Sequence, residues 1–143
     1  MKTVVIDANI GISYIIPLPY SDLTLQRMFA WQDEQANIVV PALWQYEVLS
    51  GLRKAISSGL LTFAQAVSAL HEIEDLGFEV LASDLETDQR TLIWAERIGQ
   101  MVIYDATYLA LAEQIDAEFW TADRRLANSA IMAGASWVHL LGD

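Results

Sequence analysis

Short β-branched or aromatic runs alternate along the chain with longer stretches of helical period. Thr3-Val4-Val5-Ile6 reads as a first strand and Ile38-Val39-Val40 as a second. Phe78-Glu79-Val80-Leu81, Glu118-Phe119-Trp120-Thr121 and Trp137-Val138-His139-Leu140 supply three more. Runs this short and apolar, separated by helices, predict a parallel sheet covered on both faces. Helix starts are also readable: Thr62 to Gln65 and Ser83 to Glu86 both fit a capping box. Gly77 stands where a helix should stop ahead of the third strand. Pro17, Pro19 and Pro41 fall in connections, and no linker or repeat divides residues 1–143. The pattern predicts one three-layer α/β/α domain, doubly wound.

Composition narrows the class. Over 143 residues, 54% hydrophobic content and 19% charge can build a proper core, which excludes a disordered chain. Acidic residues outnumber basic ones 19 to 8, for a formal charge of -11. That argues against a broad basic face for long nucleic acid or an anionic membrane, though not against a nuclease with a small site. Without cysteine there is no disulfide, thiol catalysis or cysteine-ligated zinc. An acid at position 7 comes too soon for a signal peptide, and no apolar run approaches ~18 residues, so a soluble cytoplasmic domain is expected.

Candidate chemistry lies in four acids. Ligands of such sheets bind outside the carboxyl ends of the strands. Asp7 closes the first strand and Asp123 follows the fourth, so both point to one rim, although either alone reads equally as a turn former or helix cap. Glu47 lies on a helix of about Leu43 to Ser57, whose apolar stripe is Trp44, Val48, Leu52 and Ile56. Glu47, Gly51, Lys54 and Ser58 share one border of that stripe. Gly51 costs about 1 kcal/mol against alanine within a helix, which implies close approach of a substrate, a backbone or another helix. Asp105 aligns with Tyr108, Leu109 and Ala112 and so heads a buried helix face. Its other reading is an N-cap, without the reciprocal box because position 108 is tyrosine. If all four acids converge, each pair ~5 Å apart repels by about 3 kcal/mol at an effective dielectric near 20. Either protons or a divalent cation must then offset the charge. Oxygen-only ligands favour Mg²⁺ or Mn²⁺ over zinc, and such an ion suits phosphodiester hydrolysis.

With these residues in view, the sequence resembles the PIN-domain family, and more narrowly the VapC-type toxin ribonucleases. The matching pieces are Val5-Ile6-Asp7-Ala8-Asn9, Glu47, Tyr104-Asp105-Ala106-Thr107-Tyr108-Leu109-Ala110-Leu111-Ala112 and Thr121-Ala122-Asp123-Arg124-Arg125-Leu126. They run in the family's order across nearly the whole chain. The resemblance implies a central five-stranded parallel sheet, a Mg²⁺ or Mn²⁺ site and endoribonuclease activity. It also implies a homodimer and an antitoxin that wraps the toxin and blocks its site. Carried over, Asp7 and Asp105 are metal ligands, Asp123 a further ligand, direct or through water, and Glu47 a ligand or the group orienting the attacking water. Asn9 and Thr121 match positions that hydrogen-bond the acids or a metal-bound water. Lys54, Arg124 and Arg125 are placed to contact phosphates, or to be ordinary solvated surface.

Other classes fit less well. His71 and His139 have no serine elbow, which disfavours a Ser-His-Asp hydrolase. No glycine-rich phosphate loop occurs. A phosphoacceptor receiver needs a late lysine, yet the only lysines are Lys2 and Lys54; a haloacid-dehalogenase-like phosphatase needs aspartate at position 9, which is asparagine. Trp44, Trp120 and Trp137 fall on predicted core positions. The competing function is a PIN-fold binding or assembly module that does not cleave, and a DNA-directed nuclease is a variant of the first reading.

Overall fold

A computed structural model describes residues 1–143. Five strands, β1 (Thr3–Ile6), β2 (Asn37–Pro41), β3 (Glu79–Leu81), β4 (Glu118–Thr121) and β5 (Val138–Leu140), pair in parallel in the order β3-β2-β1-β4-β5. The helices are α1 (Ala8–Ile15), α2 (Ser21–Asp33), α3 (Ala42–Ser57), α4 (Phe63–Asp75), α5 (Leu85–Arg97), α6 (Tyr104–Gln114) and α7 (Arg124–Met132). The three-layer α/β/α expectation therefore holds. No helix is long and apolar enough to cross a membrane.

Strand order follows from right-handed crossovers. Moving from β1 to β2 to β3 carries the chain one way across the sheet with α1 to α4 as crossovers. The return from β3 to β4 uses α5 and α6, and α7 links β4 to β5. Alternation along β4 shows the two faces: Phe119 stacks on Tyr108 of α6 at 5.5 Å, whereas Trp120 meets Trp31 of α2 edge-on at 5.6 Å. Val4, Val5 and Ile6 of the central strand are fully buried, as a strand covered on both sides requires. The direction of travel reverses between β1 and β4, and the crevice beyond their carboxyl ends is the position where such sheets bind ligands.

Local signals hold with two exceptions. Thr62 and Gln65 make the full reciprocal box that starts α4, and Gly77 ends its turn at φ 65°, a region costly for other residues. Ser83 does not cap α5. Asp84 is the cap, accepting from the Thr87 amide at 2.8 Å, while Glu86 turns instead to Arg90 at 3.2 Å. Pro41 lies at the end of β2 rather than in a loop and leads straight into α3 as its N-cap. There the missing N–H costs nothing, because the first helical turn has no partner for it.

Candidate active site

Asp7 is the residue after β1 and the N-cap of α1, yet its carboxylate makes no capping bond. It accepts from Thr121 Oγ1 at 2.8 Å and from Asn9 Nδ2 at 3.3 Å, both to Oδ2. Asn9 Nδ2 also donates to Thr121 Oγ1 at 3.2 Å, and Asn9 Oδ1 accepts from the Ala122 amide at 3.1 Å. These bonds tie the ends of β1 and β4 together and leave Asp7 Oδ1 uncommitted. Only 8% of Asp7 is exposed. Burial, reinforced by the charges of Asp105 and Glu47 and opposed by the Thr121 hydrogen bond, pushes its pKa up to about 7.

Glu47 reaches the same rim from the second turn of α3. Its Oε1 accepts from the Tyr108 hydroxyl at 2.5 Å. Tyr108 is fully buried, and its phenol is raised far above its ordinary value by burial, by the Asp7 charge and by the Glu47 bond. It therefore stays protonated and can only donate toward Glu47. Asp105 lies inside the first turn of α6, whose N-cap is Ile103, so the capping alternative is excluded. Its Oδ2 accepts from Gln100 Nε2 at 2.8 Å, and the helix N-terminus favours a negative charge there.

Asp123 stands apart from this group. It is exposed and caps α7, accepting from the Leu126 amide at 3.1 Å. Its own amide donates to Thr121 Oγ1 at 3.0 Å, so one hydroxyl links it to the residue that holds Asp7. Arg124 and Arg125 are exposed, and Arg124 lies 3.8 Å from Asp143. Asp7, Asn9, Glu47, Gly51 and Lys54 line one open cleft of about 540 Å³. Gly51 is explained by helix packing: a Cβ there would lie 2.6 Å from Ile12 Cδ1 of α1.

The donor chemistry at this rim suits a hard divalent cation: oxygen ligands, one carboxylate buried among like charges, and no sulfur. His71 lies beside another groove and His139 stacks on Trp120, so neither contributes. The carboxylates are not drawn into a closed ligand shell, since no three of them stand together closely enough to hold an ion as placed. Tyr108 and Gln100 were not anticipated as partners of the acids. Tyr108 had a signal, an exception to the capping box beside Asp105; Gln100 had none.

The parallel α/β sheet places Asp7 at its switch point, near enough to Asp105 and Glu47 to feel their charges. Residues 4–131 match the family model described as the PIN domain, and the chain belongs to the PIN domain family. Its fold is similar to that of VapBC2 from Rickettsia felis, solved with a DNA fragment from their promoter. That match has a TM-score of 0.71 and 14% identity, over 96% of this chain and 98% of that one. A toxin-antitoxin complex from Klebsiella pneumoniae matches with TM-score 0.68 and 18% identity over 98% of each chain. PAE2754 from Pyrobaculum aerophilum matches with TM-score 0.66 and 23% identity, over 90% of this chain and 79% of that one. No curated relative matches the sequence.

Proposed function

We propose that this chain is a metal-dependent endoribonuclease and the toxin of a type II toxin-antitoxin pair. The observation that carries the reading is Asp7, a buried carboxylate held by Thr121 and Asn9 beside the charges of Asp105 and Glu47, at the carboxyl end of the central strand of a PIN-domain sheet. Burying an acid beside two others is destabilising unless the cluster serves a cation or a proton.

Asp7 and Asp105 would hold Mg²⁺ or Mn²⁺, with Asp123 as a further ligand, direct or through water. When bound, the ion activates water and neutralises phosphoryl oxygens. Asn9 and Thr121 orient Asp7, and Gln100 orients Asp105. Tyr108 occupies one Glu47 oxygen and leaves the other to accept a proton from the attacking water. The water oxygen bonds to phosphorus, the bridging P–O bond breaks, and the leaving oxygen takes a proton from solvent in this open cleft. Lys54, Arg124 and Arg125 contact phosphates. The partner is an antitoxin with a basic segment suited to a surface of -11 charge. Exposed Leu85, Leu92 and Ile93 on α5 support a homodimer.

The test is cleavage of a mixed single-stranded RNA pool by the purified chain with Mn²⁺ or Mg²⁺, against Asp105→Asn. Metal-dependent cutting lost in the variant is the expected result. No cutting and no metal binding would favour a PIN-fold binding module, the reading to which the open carboxylate arrangement also belongs.

A further inference from the structure

A nuclease of charge -11 repels its substrate at long range, so its affinity must come from short-range contacts. The cleft supplies them. Lys54 is its only basic lining residue, but Tyr46 and Tyr104 also line it. Tyr46 is 68% exposed and Tyr104 52%. The chain has five tyrosines; Tyr108 is buried, Tyr14 and Tyr20 are partly covered, and the two exposed ones both stand at this cleft. Four of the five tryptophans are buried and Trp137 is partly so, which leaves none free for stacking. Each exposed tyrosine directly precedes an acid of the cluster, Tyr46 before Glu47 on α3 and Tyr104 before Asp105 on α6. An aromatic ring is thus presented at the cleft by each of two helices, α3 beside Glu47 of the cleft lining and α6 beside Asp105, whose charge reaches Asp7.

Resting on the nuclease reading, we propose that Tyr46 and Tyr104 form a base-stacking subsite from which this cleft draws its affinity for nucleotides. Every base offers a π-face, so stacking binds without sequence preference and without phosphate charge. In a duplex those faces are covered by neighbouring pairs, and the rings have nothing to stack on. The subsite therefore binds nucleotides through the bases rather than the backbone.

The test measures binding of the full chain, in EDTA, to a fluorescein-labelled eight-nucleotide RNA, its duplex and a version abasic at the central four positions. Tyr46→Ala and Tyr104→Ala should each weaken the single strand by about 5- to 150-fold, the range for loss of one stacked base. Tyr→Phe at either position keeps the ring and should stay within about threefold. The abasic strand should bind weakly to wild type and no more weakly to either alanine variant. Unchanged affinity in folded alanine variants, an equal loss with the abasic strand, or an equal loss in the phenylalanine variants would overturn the subsite. So would alanine variants whose only change is in oligomeric state or in a co-purifying protein. Cleavage with Mg²⁺ by wild type separates the two claims. Tyrosine-dependent binding without cleavage removes the nuclease and keeps the subsite, whereas cleavage with tyrosine-independent binding does the reverse.

Discussion

Replacing Asp7 by asparagine should stabilise the metal-free protein, and should do so increasingly as pH rises. Asp7 titrates near 7 in the folded protein against an ordinary value of 3.8, with burial the first cause and the Asp105 and Glu47 charges the next. The folded state therefore holds this proton to higher pH than the unfolded chain does. Stability is unaffected by Asp7 below about pH 3.8 and falls as pH rises toward 7, levelling off above it. A shift of about three units corresponds to about 4 kcal/mol by pH 8, of which about 1.5 kcal/mol is already present at pH 5. The asparagine oxygen can still accept from Thr121 Oγ1 and Asn9 Nδ2, while its amide donates toward the acidic neighbours. Thermal unfolding of wild type and Asp7→Asn in EDTA from pH 5 to 8 isolates the effect, because other titrations are common to both. The advantage of the variant should be larger at pH 8 than at pH 5 by about 2.5 kcal/mol, or roughly 8 °C for a domain of this size. Added Mn²⁺ should then raise the melting temperature of wild type only. An advantage that does not change with pH, or that shrinks as pH rises, would refute the account of this cluster.

The remaining predictions concern the other residues of the rim. Tyr108→Phe removes a 2.5 Å bond to Glu47 but keeps the stack on Phe119, so it should lower the cleavage rate by about tenfold with little change in KM, consistent with about 1.5 kcal/mol for a hydrogen bond to a charged group. An unchanged rate would remove Tyr108 from the positioning of Glu47. Asp123→Asn keeps a good N-cap and should leave the melting temperature within a few degrees while weakening Mn²⁺ binding by calorimetry. Unaltered Mn²⁺ affinity would assign Asp123 to capping alone. With only Lys54, Arg124 and Arg125 for phosphates, the logarithmic salt slope of single-strand binding should be no steeper than about −2. A steeper slope would demand a cationic surface that the chain lacks.

Periodicity and local chemistry made most of the fold legible. The β1 and β4 runs match their strands residue for residue, because both are buried on two faces and read as continuous apolar runs. The third and fifth lose one residue each at the sheet margins, where Phe78 and Trp137 pack on the core outside the strands, Trp137 lending only its carbonyl to the Phe119 amide. The α5 cap shifted by one residue because Arg90, a turn further on, competes for Glu86. Asp7 and Asp105 were legible through their positions on a strand end and a helix face. The bond between Tyr108 and Glu47 was not, since it joins residues 61 apart whose proximity exists only after the sheet has formed. Gly51 marked a close approach correctly in kind, and only the structure identifies Ile12 as the neighbour.

The central claim is that water, activated at the Asp7, Glu47 and Asp105 cluster, attacks phosphorus. Its most direct test is the end chemistry of RNA fragments made by the purified chain with Mn²⁺ in ¹⁸O-labelled water. Linear phosphomonoester ends carrying one ¹⁸O atom are expected, with no fragments in EDTA and none from Asp105→Asn. Cyclic 2′,3′-phosphate ends without label, or cutting that persists in EDTA, would mean attack by the ribose hydroxyl and would contradict it.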